Sequence, residues 1–238
     1  MSAKPGLSKR VERAETTLVM SSVVILARDV NQSIFTTLWL VKNGILLEEE
    51  ASVRDLVVAA GITRVPTPEF ELLVLPDRLQ MRFDPKTPDA TGTLNRVLGG
   101  IAKTLPHTPF SAVGLNFQHE LVPTGPADFF EWNRRIFASP WALTRVNDDT
   151  RTRFGCNFAY DAYDGARMRV SAGVKSQADT STDRASSAPT HEPYVVVVSC
   201  NLHRDLSADN APKELPRMLG LWRSVRDDTT ELVASLRS

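Results

Sequence analysis

Cys200-Asn201-Leu202-His203-Arg204-Asp205 carries a pattern that this chain of 238 residues uses twice before, in Leu115-Asn116-Phe117-Gln118-His119-Glu120 and in Cys156-Asn157-Phe158-Ala159-Tyr160-Asp161. Each copy runs apolar, Asn, apolar, variable, a ring or a basic group, then an acid. Strict alternation of this kind marks a strand with one apolar and one polar face. Asn and the acid stand four apart, so they share the polar face. The three copies are therefore expected to be three equivalent strands of one sheet.

The second copy fixes a hairpin with the run that follows it. Tyr163-Asp164-Gly165 separates a strand over residues 154–162 from one over 166–174, and a three-residue loop ending in Gly is a known hairpin connection in which that glycine turns left-handed. In this register Tyr160 faces Met168 and Phe158 faces Val170, while Asp161 faces Arg167 and Asn157 faces Ser171. A two-residue loop would set Tyr160 against Arg169, so the longer loop is preferred.

Further out, Val23-Val24-Ile25-Leu26 reads as an early strand. Ile34 to Val41 runs into Asn43-Gly44, a pair that commonly turns a hairpin. Ser52 and Asp55 have the spacing of a capping box for a short helix ending at Gly61. Residues 70–75 and 78–83 form a hairpin at Pro76-Asp77, and Leu94, Val97, Leu98, Ile101, Ala102 and Leu105 form the stripe of a helix. A second helix starts near Pro126 and ends by Ser139-Pro140, and a long C-terminal helix carries Leu215, Met218, Leu219, Trp222, Val225, Leu232, Val233 and Leu236, with Pro212 and Pro216 in its opening turn.

This order predicts an α+β fold with predominantly antiparallel sheet covered by helices. It divides into a polar tail (1–15), an N-terminal half (16–108) and a C-terminal half (109–238) holding a flexible loop at 175–193. The halves resemble each other: a long strand, an inserted helix, a hairpin and a covering helix, with one added strand in the second. The first and second Asn strands, joined by a helix, are expected to run parallel, and the third to parallel the second with 166–174 between them.

Composition narrows the function classes. The formal net charge is zero, so no global field draws the chain to nucleic acid or anionic lipid. The basic start has no apolar signal core, and no apolar run reaches the roughly 18 residues of a membrane span. A soluble cytoplasmic protein is expected. Arg outnumbers Lys by 21 to 7 among the 28 basic residues, a balance that suits protein or phosphate contacts and also a GC-rich bacterial genome. The two cysteines fall in strands and are expected to stay reduced.

The polar faces gather the candidate site. Asn116, Gln118, Asn157, Arg167, Arg169 and Asn201 are the candidate binding residues, joined by Ser171. If the chain is an enzyme, His203 is the base, with Asp205, Asp161 or Glu120 to orient it. Cys200 and His203, three apart on one strand, point to opposite faces, so they make neither a nucleophile pair nor a metal pair. His119 shares the parity of Leu115 and Phe117 and reads as a core histidine. No metal and no cofactor is expected.

Two short likenesses carry little. His203-Arg204-Asp205-Leu206 with Asn210 has the letters of a protein-kinase catalytic loop, but the glycine-rich loop, the strand lysine and a downstream Asp-Phe-Gly are missing. Arg153-Phe154-Gly155-Cys156-Asn157-Phe158 resembles the base-stacking strand of RNA-recognition modules, yet Cys156 and Ala159 stand where that motif needs rings. The expected function is that of a non-catalytic protein–protein interaction or regulatory subunit of a bacterial cytosolic complex, using a sheet edge or the polar face, with the 175–193 loop as a further candidate contact. Its partner is another protein rather than nucleic acid or a membrane, and its oligomeric state is left open. The alternative is a ligand-binding or hydrolytic enzyme around His203.

Overall fold

Runs rich in β-branched and aromatic residues pack well on a pleated surface, and here they build one sheet. A computed structural model describes residues 15–51, 57–59, 61–137, 155–163, 165–175, 194–207 and 211–236. The strands are β1 (Glu15–Ala27), β2 (Val57–Ala59), β3 (Ile62–Pro66), β4 (Phe70–Leu75), β5 (Arg78–Phe83), β6 (Phe110–Val122), β7 (Cys156–Ala162), β8 (Ala166–Val174) and β9 (Val196–Asp205). Their spatial order is β2-β3-β4-β5-β1-β6-β9-β8-β7. All neighbours are antiparallel, giving the α+β architecture that the sequence predicts.

Read outward from the β1·β6 pair, the order is the same on both sides. β5, β4 and β3 on one flank correspond to β9, β8 and β7 on the other. Each series begins with a long strand, passes through helical turns, returns as a meander and ends in a helix. The extra strand that the sequence shows only in the second half therefore has a counterpart, β3, in the first. Because β6 and β7 stand three places apart in an antiparallel sheet, they run in opposite directions, which corrects the expected parallel arrangement. β9 and β7 do run parallel, with β8 between them.

The hairpin register of β7 and β8 is the one derived from polarity matching: Tyr160 faces Met168, Phe158 faces Val170, Asp161 faces Arg167 and Asn157 faces Ser171. Gly165 has φ +86°, a conformation in which a Cβ would clash with the backbone. The β4–β5 hairpin turns at Pro76-Asp77 as expected.

Elsewhere local signals were outvoted. Ile34 to Val41 is not a strand but a 3₁₀ turn (Gln32–Ile34) followed by α1 (Thr37–Lys42). Thr36 caps that helix by accepting from the Trp39 N–H. Asn43-Gly44 closes it: Gly44 N–H bonds the Val41 carbonyl and Ile45 N–H the Leu40 carbonyl, the paired bonds of a Schellman cap. Asn-Gly supplies the same left-handed geometry to a hairpin and to a helix end, and the side chains Phe35, Leu40 and Ile45, fully buried, decide for the helix. Ser52 and Asp55 lie outside the described residues, but Val57–Ala59, inside the helix that they suggested, is strand. The helical turn of this region is α2 (Glu48–Ala51), earlier than expected.

The predicted helix through 94–105 is α3, continuous from Thr91–Leu94 through a π-helical segment, Asn95–Gly99, to Gly100–Thr104. Leu94, Val97, Leu98 and Ile101 are fully buried along it. α4 spans Pro126–Phe137; Ser139-Pro140 falls outside the described residues, as does nearly all of the 175–193 loop. The C-terminal helix is two: α5 (Ala211–Gly220) and α6 (Trp222–Ser235), broken at Gly220-Leu221. Pro216 lies in the interior of α5 rather than its opening turn.

The covered face of the sheet holds the core. α6 packs on β1, β6 and β9, and α5 on β6 and α3. Trp222, at the start of α6, lies against Phe83 and Phe117 with ring centroids 5.3 and 4.7 Å apart. Beneath α3, Glu50 is buried and forks with Arg96, whose guanidinium also donates to the Ile45 carbonyl at 2.7 Å. Among the described residues, the opposite face carries the outward-turned side chains of the strands, Arg82, Asn116, Asn201 and Arg169 among them.

Candidate functional site: the open face of the sheet

Strand parity sends Leu115, Phe117 and His119 of β6 into the core and leaves Asn116, Gln118 and Glu120 half-buried on the open face. The same rule holds on β9, where Cys200 and Leu202 are buried while Asn201 and His203 face outward. Burial pushes the Cys200 thiol up to about 11, so it is protonated at neutral pH and is screened from His203 by the sheet itself. Cys156 and Cys200 are both free thiols.

Adjacent strands align these side chains in rows. One row runs Arg82 (β5), Ser22 (β1), Asn116 (β6), Asn201 (β9), Arg169 (β8) and Ala159 (β7). At its centre the Asn201 amide donates to the Asn116 side-chain carbonyl at 2.6 Å. Thus two of the three repeated asparagines meet directly. The third, Asn157, is one row away, opposite Ser171, which in turn faces Ser199. Asn157, Arg169, Ser171, Ser199 and Asn201 line a shallow concavity of about 530 Å³ over β7, β8 and β9, together with Phe158, Ala159 and Val170.

Gly114 makes the asparagine pair possible. A Cβ there would stand 2.9 Å from the Asn201 amide nitrogen, inside van der Waals contact. The sequence carried a signal for this. A small residue stands two places before each repeated Asn, Gly114, Gly155 and Ser199, on the same strand face. Arg82 and Ser22 also belong to the face and were missed, because their strands do not carry the repeat.

The candidate acid–base residues do not converge. His203 Nε2 lies 3.0 Å from Asp205 Oδ1, so that pair forms. Asp161 stands two strands away, about 10 Å at the usual spacing, and pairs with the Arg167 that separates it from His203. Glu120 is six residues along β6 from Gly114, which faces His203; that is about 20 Å, and Glu120 binds Lys175 at 3.0 Å. Among the described residues no group of three or more His, Cys, Asp or Glu side chains is placed to hold a metal ion.

The electrostatics of the row are uneven. Arg169 is exposed and makes no ion pair or hydrogen bond among the described residues, and Arg82 is in the same state. Glu71, which faces Arg82 across the strands, is occupied by Arg64. The two free guanidinium groups lie four strands apart, about 19 Å, with the amide pair between them. Among the described residues no helix is long and apolar enough to cross a membrane. In sequence the chain matches no known family and no curated protein.

Proposed function

We propose that this chain is a non-catalytic protein-binding subunit whose open sheet face recognises a partner protein carrying acidic side chains. The row from Arg82 through Asn116 and Asn201 to Arg169 carries the reading. Its central amides are held in place by each other, while among the described residues its terminal guanidinium groups make no ion pair. Arginine forks bind carboxylates bidentately, and amides and hydroxyls supply the neutral hydrogen bonds of a wet protein interface. A shallow, open concavity suits such a surface better than it suits enclosure of a small substrate.

The test is affinity capture from the source cells with wild-type chain and with Arg82→Glu/Arg169→Glu, read by quantitative mass spectrometry. A partner captured in fixed ratio and lost with the double charge reversal is expected. Capture that is indifferent to the reversal would overturn the assignment of this face.

The contact between His203 and Asp205 favours a second reading, a ligand or hydrolytic site in which His203 is the base. His203→Ala/Asp205→Ala separates the two: it removes that site and leaves the Arg82–Arg169 row intact.

A further inference from the structure

We infer that two copies of this chain pair through β7 in antiparallel register about Ala159, joining two nine-stranded sheets into one. Among the described residues, one edge of the sheet lacks the usual protection. Exposed edge strands are normally blunted by shortness, proline, lysine or a bulge. β2, at the other edge, is only three residues long. β7 has seven residues with neither Pro nor Lys, and its register with β8 runs unbroken. Among the described residues it pairs on one side only. It also exposes two aromatic rings, Phe158 and Tyr160, at 46% and 44%. They stack with centroids 6.2 Å apart on the face where their neighbours Val170 and Met168 are buried in the core.

The sequence of β7 is self-complementary in one register. With Ala159 opposite its own copy, Phe158 meets the partner copy's Tyr160, and Tyr160 its Phe158, extending the apolar row of Val170 and Met168. On the open face Asn157 meets the partner copy's Asp161, so an amide donor faces a carboxylate. That carboxylate keeps its Arg167 on the far side. Aromatic pairs and donor–acceptor pairs directly opposite each other are the stabilising units of an antiparallel ladder. Centring on Phe158 instead would face Asn157 with Ala159 and Cys156 with Tyr160; centring on Tyr160 would face Asp161 with Ala159. Both lose these pairs. Ala159 at the dyad is small enough for the two concavities to remain open on either side. The pairing does not depend on any partner for the open face, since it is a property of the purified chain.

The experiment combines sedimentation velocity with site-directed cross-linking. The full chain should sediment with twice its 26.3 kDa mass, and Tyr160→Lys, which sets an ammonium against Phe158, should return it to one. In a Cys156→Ser background, Ala159→Cys places two thiols across the dyad, at Cα separations of about 4.5–5.5 Å, within the range that a disulfide spans. Copper-phenanthroline should then give a disulfide dimer on a non-reducing gel. Asp161→Cys in the same background is the control, because its two copies stand about 14 Å apart along the strands. Circular dichroism confirms that each variant is folded. A single-chain mass at every concentration, a dimer unaffected by Tyr160→Lys, or cross-linking that fails at 159 or is equal at 159 and 161 would each overturn the inference.

Discussion

Acid should unfold this protein in part through one buried histidine. His119 is fully buried, and its Nε2 lies 3.3 Å from the Thr229 hydroxyl of α6. That hydroxyl donates to the Arg226 carbonyl at 3.0 Å, so it accepts from the imidazole, and Nε2 carries the proton. Among the described residues Nδ1 has no hydrogen-bond partner. Protonating it would bury a charge and a donor without an acceptor. Burial first, and then the nearby Arg226 guanidinium, lower the pKa from 6.5 to about 4. The unfolded chain therefore binds this proton more readily than the folded one. Stability is fully present above pH 6.5 and drains away as pH falls towards 4. At about 1.4 kcal/mol per unit, the loss is about 3 kcal/mol. Urea unfolding of wild type and His119→Gln, followed by tryptophan fluorescence across this window, isolates the contribution from that of the carboxylates. The wild type should lose about 3 kcal/mol more than the variant between the two ends. Parallel profiles, or an imidazole that titrates near 6.5 by NMR, would refute the reasoning.

Other substitutions probe the fold and the face. Glu50→Ala strands Arg96 against the Ile45 carbonyl and should cost about 3 kcal/mol in chemical denaturation, the low end for a broken buried pair, because Arg96 is a quarter exposed. Gly114→Ala should destabilise by about 1–2 kcal/mol through overpacking against Asn201, and the cost should shrink by about 1 kcal/mol in an Asn201→Ala background, as a double-mutant cycle would show. Gly165→Ala forces a Cβ into a left-handed turn and should lower stability by about 1–2 kcal/mol, read as a drop in the thermal midpoint.

Much of the polar face was legible because alternation along a strand is a local rule. Once 112–121, 154–162 and 194–205 read as strands, the side on which Asn116, Asn157, Asn201 and His203 stand followed from counting. The hairpin register of β7 and β8 followed as well, since a slip of one residue would have set apolar against polar at every step. His119 was placed in the core by the same count. Ile34 to Val41 misled because an apolar run before Asn-Gly fits a hairpin and a helix end equally, and what separates them is the burial of Phe35, Leu40 and Ile45 beneath distant elements.

What the sequence by itself determined is thus the faces: which side chains turn to the core and which to solvent, strand by strand, because a residue's parity depends only on its neighbours. Which rows form across strands was decided by the tertiary structure alone. The pairing of Asn116 with Asn201, the distance that strips His203 of Asp161 and Glu120, and the edge position of β7 among the described strands all depend on strand order. Strand order is set by how the long β1 and β6 meet and by which helices close over them, and these contacts join residues far apart in the chain that no local pattern encodes.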